Sequence, residues 1–354
     1  MARLTVIGGG IIGLACAWRL TQAGHRVTVL DAAPGVREAS WAAAGMLAPH
    51  HEYDPILTVG SDGAQAQALW KLGCGSLERW PAFAADLGGT EALDFHQEGG
   101  LVPLFPEDTP AVLARAEGLA RAGVSVEDLS GSALAALAPG LAVTRALRLP
   151  AAQVDPRRTT ATLIAALGPA VHYGERAVAL EGTTVITSRQ RRLLADAVVL
   201  ASGAWTPDLA TLAGLDLPGE PVKGQMLRFA LEDGALKAFV HCHQAYLVPR
   251  AGAGLIVGST MRWDGFDRTE SAEDIAHLTA SARRLLPALA RHPLEHWTGL
   301  RPRLTRGLPL VDQVRPGLIV ATGHFRNGIL LTPLTADLVV DLVAGRPVPS
   351  AVRA

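Results

Sequence analysis

Gly8, Gly9, Gly10 and Gly13 follow an apolar, β-rich run at residues 4–7. They open a stretch in which Ile12, Ala15, Cys16 and Leu20 recur at helical spacing. This is a GxGxxG between a strand and a helix. The first glycine permits the tight turn, the second lets a pyrophosphate approach the backbone, and the third lets helix and strand pack closely. The helix start offers unpaired N–H groups and a partial positive charge to phosphates. Asp31, about twenty residues on, ends a second apolar run at residues 27–30. Its carboxylate can accept from both ribose hydroxyls and would repel a 2′-phosphate. Dinucleotide binding is expected, with Gly8, Gly10, Ile12, Gly13 and Asp31 as contacts, but the motif does not separate nicotinamide from flavin.

Other segments make that separation. Ala39, Ser40 and Trp41 lead into Ala42, Ala43, Ala44, Gly45, Met46, Leu47, Ala48 and Pro49. Gly323, His324, Phe325, Arg326, Asn327, Gly328, Ile329 and Leu330 precede Pro333. Between them lie Tyr246 to Arg250 (Tyr-Leu-Val-Pro-Arg), Val257 to Met261 (Val-Gly-Ser-Thr-Met) and Trp297 to Pro302 (Trp-Thr-Gly-Leu-Arg-Pro). In this order the segments resemble the bacterial glycine oxidases, the thiamine-pathway members of the FAD-dependent D-amino acid oxidase superfamily. The resemblance runs from the first strand to the last helix and is weakest at residues 52–130, where no catalytic role carries over.

Physical chemistry gives each segment a use. Small side chains at Ala43, Ala44 and Gly45, with Ser40 and Met46 beside them, let backbone lie against a flat ring system. Residues 323–329 precede a helix, so their amides can face the flavin's pyrimidine edge, where negative charge gathers on reduction. The resemblance implies flavin contacts at Gly323, His324, Arg326, Asn327, Gly328 and Ile329, and further cofactor contacts at Val178 and Gly203. Arg301 is the expected anchor for a substrate carboxylate, because a guanidinium presents two parallel donors that match it. Tyr246 is expected to add a hydroxyl, Arg326 to assist near the flavin, and Met261 to line the pocket or join the core. Arg303 and Arg306 are assigned to the surface.

The histidines invite a metal reading. His241 and His243 alternate on a run read as a strand, so both could share a face, with His50 and His51 folding nearby. No third ligand stands at a recognisable spacing, and no metal site is expected. Cys16, Cys74 and Cys242 are scattered, with no CxxC, so neither a disulfide framework nor a cysteine zinc site is indicated. Relatives with covalent flavin use a cysteine after the Arg301 motif. Leu304, Thr305 and Gly307 offer none, which implies noncovalent FAD.

The elements that must position these groups are mixed in type. Parallel-strand runs are expected at residues 4–7, 27–30, 197–201 and 318–321, and a closing helix at 334–343. Thr109 and Pro110 start a helix that Gly123 ends. Residues 225–229, 245–250 and 255–260 read as antiparallel strands, the last two as a hairpin, followed by an amphipathic helix through Ile275, Leu278, Ala282 and Leu285. The fold class is α/β: a Rossmann-like FAD-binding domain (1–85, 144–220 and 305–354) interleaved with an α+β substrate domain on an antiparallel sheet (86–143 and 221–304).

The 354 residues suit two domains. Hydrophobic residues at 49% and charged residues at 18% exclude global disorder. A net charge of −1 without a basic block argues against nucleic acid, including a flavin domain acting on a tRNA base. No uncharged apolar run reaches spanning length, and glycines interrupt the apolar start, so a soluble cytoplasmic chain is expected. The resemblance implies oxidation of a small amino acid, glycine first, with O2 as electron acceptor, in a homo-oligomer such as a tetramer. Sarcosine or a D-amino acid as substrate, a non-O2 acceptor, a non-catalytic flavin subunit and a nicotinamide dehydrogenase are the alternatives.

Overall fold

The strand Arg3–Ile7 lies at the centre of a six-stranded sheet, parallel to Arg26–Asp31 on one side and Ala197–Leu200 on the other. Val171–Tyr173 continues the sheet beyond Arg26–Asp31, and Leu318–Thr322 beyond Ala197–Leu200. Leu310–Arg315 closes that edge antiparallel. The computed structural model describes residues 1–35, 37–53 and 61–354. Strands buried on both faces need continuous apolar sequence, as Val-Val-Leu and Leu-Ile-Val-Ala supply. Helices Ile11–Gln22, Pro156–Leu167 and Thr332–Val343 share one core with the sheet. A three-stranded meander, Ala177–Glu181, Thr184–Thr187 and Arg192–Leu194, contributes Ala177 and Val185 to a second core formed with residues of the same sheet. The order of strands reverses between Arg3–Ile7 and Ala197–Leu200, and the crevice at their carboxyl ends is where such sheets bind ligands.

An eight-stranded sheet stands beside it, in the order Glu295–Leu304, Gly219–Phe229, Gly254–Gly258, Tyr246–Arg250, Phe239–His241, Gly100–Pro103, Arg145–Leu149 and Glu127–Ser130. The expected hairpin forms, with Tyr246 opposite Gly258 and Arg250 opposite Gly254. Helix Ala272–Leu285 sends Leu278, Ala282 and Leu285 into one core with Leu227, Phe229, Leu255 and Val257. Ser271 caps that helix by accepting the Asp274 amide at 3.2 Å. The strand Arg145–Leu149, expected in the first unit, instead pairs antiparallel with Gly100–Pro103 in the second sheet. The expected crossings near 220 and 305 coincide with the ends of long sheet strands, whereas Leu87, Leu93 and Phe95, expected in the second unit, pack in the core of the parallel sheet.

The segment at residues 39–49 is pinned by the antiparallel sheet on one side and by residues 153–157 on the other. Trp297 Nε1 donates to Ala42 O at 3.1 Å. Buried Arg250 donates Nη2 to Ala43 O at 2.7 Å and to Ala44 O at 3.1 Å. Val154 N donates to Gly45 O at 3.0 Å, and Met46 pairs with Gln153. Arg157 lies over the Trp41 ring at 3.7 Å and the Trp297 ring at 4.7 Å. These bonds fix an irregular stretch that has little periodic structure of its own.

Candidate active site

A cavity of about 650 Å³ runs from the carboxyl ends of the parallel strands to the face of the antiparallel sheet. At the first end, the wall is backbone. Gly8 has φ +118, and a β-carbon there would overlap the Ala201 carbonyl; a β-carbon at Gly13 would overlap the Gly8 carbonyl. Only glycine lets strand, turn and helix meet this closely. The helix Ile11–Gln22 starts at the cavity, where Ser40 Oγ accepts the Ile11 amide at 2.9 Å. Asp31 accepts the Gly9 amide at 2.6 Å and the Ala33 amide at 2.8 Å. Burial raises its pKa and those two bonds oppose the rise. Its carboxylate therefore sits oriented in the wall, where ribose hydroxyls can reach it.

At the middle, Ala42, Ala43, Ala44, Gly45 and Met46 line one side, with Gly203, His324, Phe325, Arg326, Gly328 and Ile329 contributing further wall. This loop is held from behind: Ser76 Oγ and Trp80 Nε1 both donate to Leu330 O, at 2.6 and 3.0 Å. The His324 ring is turned into the core, where Nε2 meets Thr335 Oγ1 at 2.9 Å. Burial lowers its pKa to about 4, so it stays neutral and a positioning group. Phe325, with φ +48, adopts a conformation rare outside glycine while lining the cavity.

At the far end, the wall is side chains. In the antiparallel register Gly224 faces Gly299 and Met226 faces Trp297, and alternation puts Val222, its partner Arg301 and these four on one face. The Arg301 guanidinium lies over Gly224, where a β-carbon would overlap it, while a β-carbon at Gly299 would overlap Ala42. Arg301 donates Nη1 to Thr260 O at 3.1 Å and Nη2 to Ser259 Oγ at 2.6 Å. Burial lowers its pKa, and the nearby Tyr246 opposes this; a guanidinium remains a cation in either case. The Tyr246 hydroxyl meets Met226 Sδ at 3.4 Å. Arg326 donates to Glu52 Oε1 at 2.7 Å.

Among the sequence-derived candidates, Gly8, Gly10, Ile12, Asp31, Ser40, Ala43, Ala44, Gly45, Met46, Gly203, His324, Arg326, Gly328, Ile329, Tyr246 and Arg301 line this one cavity. Gly13, Gly323 and Asn327 stand outside the lining: Gly13 packs on Gly8 and Gly323 on Leu304, while the Asn327 amide bonds His324 O at 2.9 Å. Two candidates are displaced. Val178 is 43% exposed and faces away, because strand alternation turns its neighbour Ala177 to the cavity. Met261 is 42% exposed, turned outward where Lys223 and Arg262 form an antiparallel bridge. Met226 occupies the wall instead, with Glu52 and Gly224, which no local signal marks, and Ser259, which the Val257 to Met261 motif contains without giving it a role.

His241 and His243 do not share a strand face. The strand ends at His241, and His243 is exposed beyond it. His51 reaches His241, with ring centroids 5.7 Å apart, while His50 Nδ1 takes the Trp70 indole N–H at 3.1 Å. Among the described residues no three His, Cys, Asp or Glu side chains gather to hold a metal.

The fit to FAD can be judged on these walls. The glycine cradle accepts only backbone and phosphate. The Ala42–Gly45 stretch offers a flat ring no bulky side chain, and the volume falls within the ~300–1,000 Å³ of ligand sites. No cysteine among the described residues lines the cavity. The residues present fit the group.

Comparison with known proteins bears on the same site. A family model described as FAD dependent oxidoreductase matches residues 3–342. The chain is 34% identical to the glycine oxidase of Pseudomonas aeruginosa, over 97% of this chain and 95% of that protein. It is 33% identical to the bifunctional protein ThiO/ThiG of Nostoc, over 96% of this chain and 52% of that longer protein. The crystal structure of glycine oxidase from Geobacillus kaustophilus superposes with a TM-score of 0.84 at 30% identity, covering 98% of this chain and 96% of that one.

Proposed function

Because the chain belongs to the FAD-dependent oxidoreductase family, we propose that it oxidises glycine, or an amino acid of similar size, at the α-carbon. Arg301 carries this reading: a half-buried fork of donors, bonded to neutral oxygens among the described residues, placed where the cavity leaves the small-residue segment. When bound, FAD supplies the acceptor for a hydride from the substrate α-carbon and hands the electron pair on.

The chain's own residues bind and orient. The glycine turn, the helix start and Asp31 hold the dinucleotide end. The amides around Gly328 and Ile329 face the ring end. Arg301 takes the substrate carboxylate on its two parallel donors, which fixes the direction of the α-carbon as well as its position. The Tyr246 hydroxyl, free to turn from the weak acceptor Met226 Sδ, adds a donor to the same carboxylate. Met226, Ala42 and Trp297 form an apolar wall that keeps the site poor in water. The α-carbon loses a hydride and the nitrogen a proton, giving an imine; water then yields glyoxylate and ammonia. O2 takes the electron pair with two protons to give hydrogen peroxide. FAD is held without a covalent bond, and the enzyme works as a homo-oligomer in the cytoplasm, supplying an imine for thiazole formation.

An anaerobic titration with glycine, beside sarcosine and D-alanine, tests this. Glycine should bleach the flavin absorption band, and air should restore it with release of peroxide. Bleaching only by a bulkier amine would overturn the substrate. Turnover with a dye but not with O2 would overturn the acceptor.

A further inference from the structure

Two guanidiniums, Arg301 and Arg326, line the far end of the cavity, yet a small amino acid brings one carboxylate. The two differ in what they already hold. Among the described residues Arg301 bonds Thr260 O, Ser259 Oγ and the Tyr246 side chain, and no carboxylate lies within ion-pair distance of it. Arg326 is paired with Glu52, Nη2 to Oε1 at 2.7 Å, and Glu52 lines the same cavity. His241 also faces Glu52, with Nε2 4.0 Å from Oε1. Burial lowers the pKa of His241 to about 4, so it leaves the Glu52 charge to Arg326. His51, next to His241, is buried and held neutral in the same way. Arg326 is therefore paired directly with Glu52, while Arg301 feels that carboxylate only at longer range.

We propose that Glu52 is a specificity-determining residue: by occupying Arg326 it restricts the site to amines that carry a single carboxylate. A substrate with two carboxylates would direct its second one toward Arg326 and meet Glu52 there, a repulsive element that selects against it. With Glu52 neutralised, the Arg326 fork opens to that second carboxylate. The inference rests on the reading of Arg301 as the anchor for the first.

The experiment compares FAD-loaded wild type, Glu52→Gln and Glu52→Gln/Arg326→Gln. Acetate and malonate are titrated as non-reacting probes by the shift of the flavin spectrum. Glycine and iminodiacetate are compared by kcat/KM. Glu52→Gln should raise the malonate-to-acetate affinity ratio, and the iminodiacetate-to-glycine efficiency ratio, by about tenfold or more, the scale of one charge-assisted contact. The double variant should return both ratios to the wild-type level or below. Unchanged ratios in Glu52→Gln, or a gain that survives removal of Arg326, would overturn the proposal. Glu52→Ala is read by the same ratios, so the outcome does not hang on one variant folding. If no amine reduces the wild-type flavin, the proposed oxidation fails, while the malonate-to-acetate ratio still decides the role of Glu52.

Discussion

The two ends of the cavity are built by opposite means. At the parallel sheet the wall is main chain: glycines too close to their neighbours for a β-carbon, a helix start, and one carboxylate already tied to two amides. At the antiparallel sheet it is side chains, with a guanidinium, a phenol and a thioether carried on strands that meet across long stretches of sequence. A backbone wall suits a ligand that must always be held the same way, since it has no rotamers to adjust. A side-chain wall can be retuned one residue at a time, which suits the end that chooses a substrate.

That contrast makes the two ends fail differently. Arg301→Ala should keep FAD and the fold, and lose about 3–5 kcal/mol of transition-state binding, two to four decades in kcat/KM; steady-state kinetics with glycine checks it. Acid should weaken both ends through their neutral histidines. The folded His324 titrates at about 4 against the ordinary 6.5, so between those values the unfolded chain binds the extra proton. Stability is full above pH 6.5 and falls as the pH drops toward 4, by up to about 3 kcal/mol for this buried ring. A Tm series against pH should show the slope, and His324→Gln should flatten it.

Gly13→Val should do the reverse of Arg301→Ala. It forces a side chain onto the Gly8 carbonyl, costs at least about 1–3 kcal/mol as overpacking does, and should leave the purified protein with little flavin. A yellow protein of unchanged Tm would contradict this. The smallest change is Tyr246→Phe, which removes one hydroxyl donor: KM for glycine should rise by roughly tenfold or less, the worth of one hydrogen bond of ~0.5–1.5 kcal/mol, with the flavin spectrum intact.

The same contrast explains what the sequence made legible. Gly8 to Gly13 and Asp31 could be read directly because their constraint is local: a turn, a helix start and a strand end within one βαβ unit. The hairpin from Tyr246 to Gly258 was readable for the same reason. The far end depends on register between distant strands. Arg301 came forward only through the motif around it, and Met226 not at all, since nothing near it announces that it faces Trp297. Glu52 meets Arg326 across most of the chain, at the point where the resemblance was weakest. Val178 was misplaced by a single residue, which in a strand exchanges the two faces, and Arg145–Leu149 joined the other sheet because its partner, Gly100–Pro103, is set by pairing and not by composition.

The division of labour itself is most directly tested by a crystal structure of the FAD-bound chain with glycolate, an unreactive stand-in for glycine. The account expects the dinucleotide along the glycine turn and Asp31, the glycolate carboxylate on the Arg301 fork with Tyr246 turned toward it, and Arg326 still paired with Glu52. A carboxylate seated on Arg326, with Arg301 still bonded to Ser259 and Thr260, would contradict it.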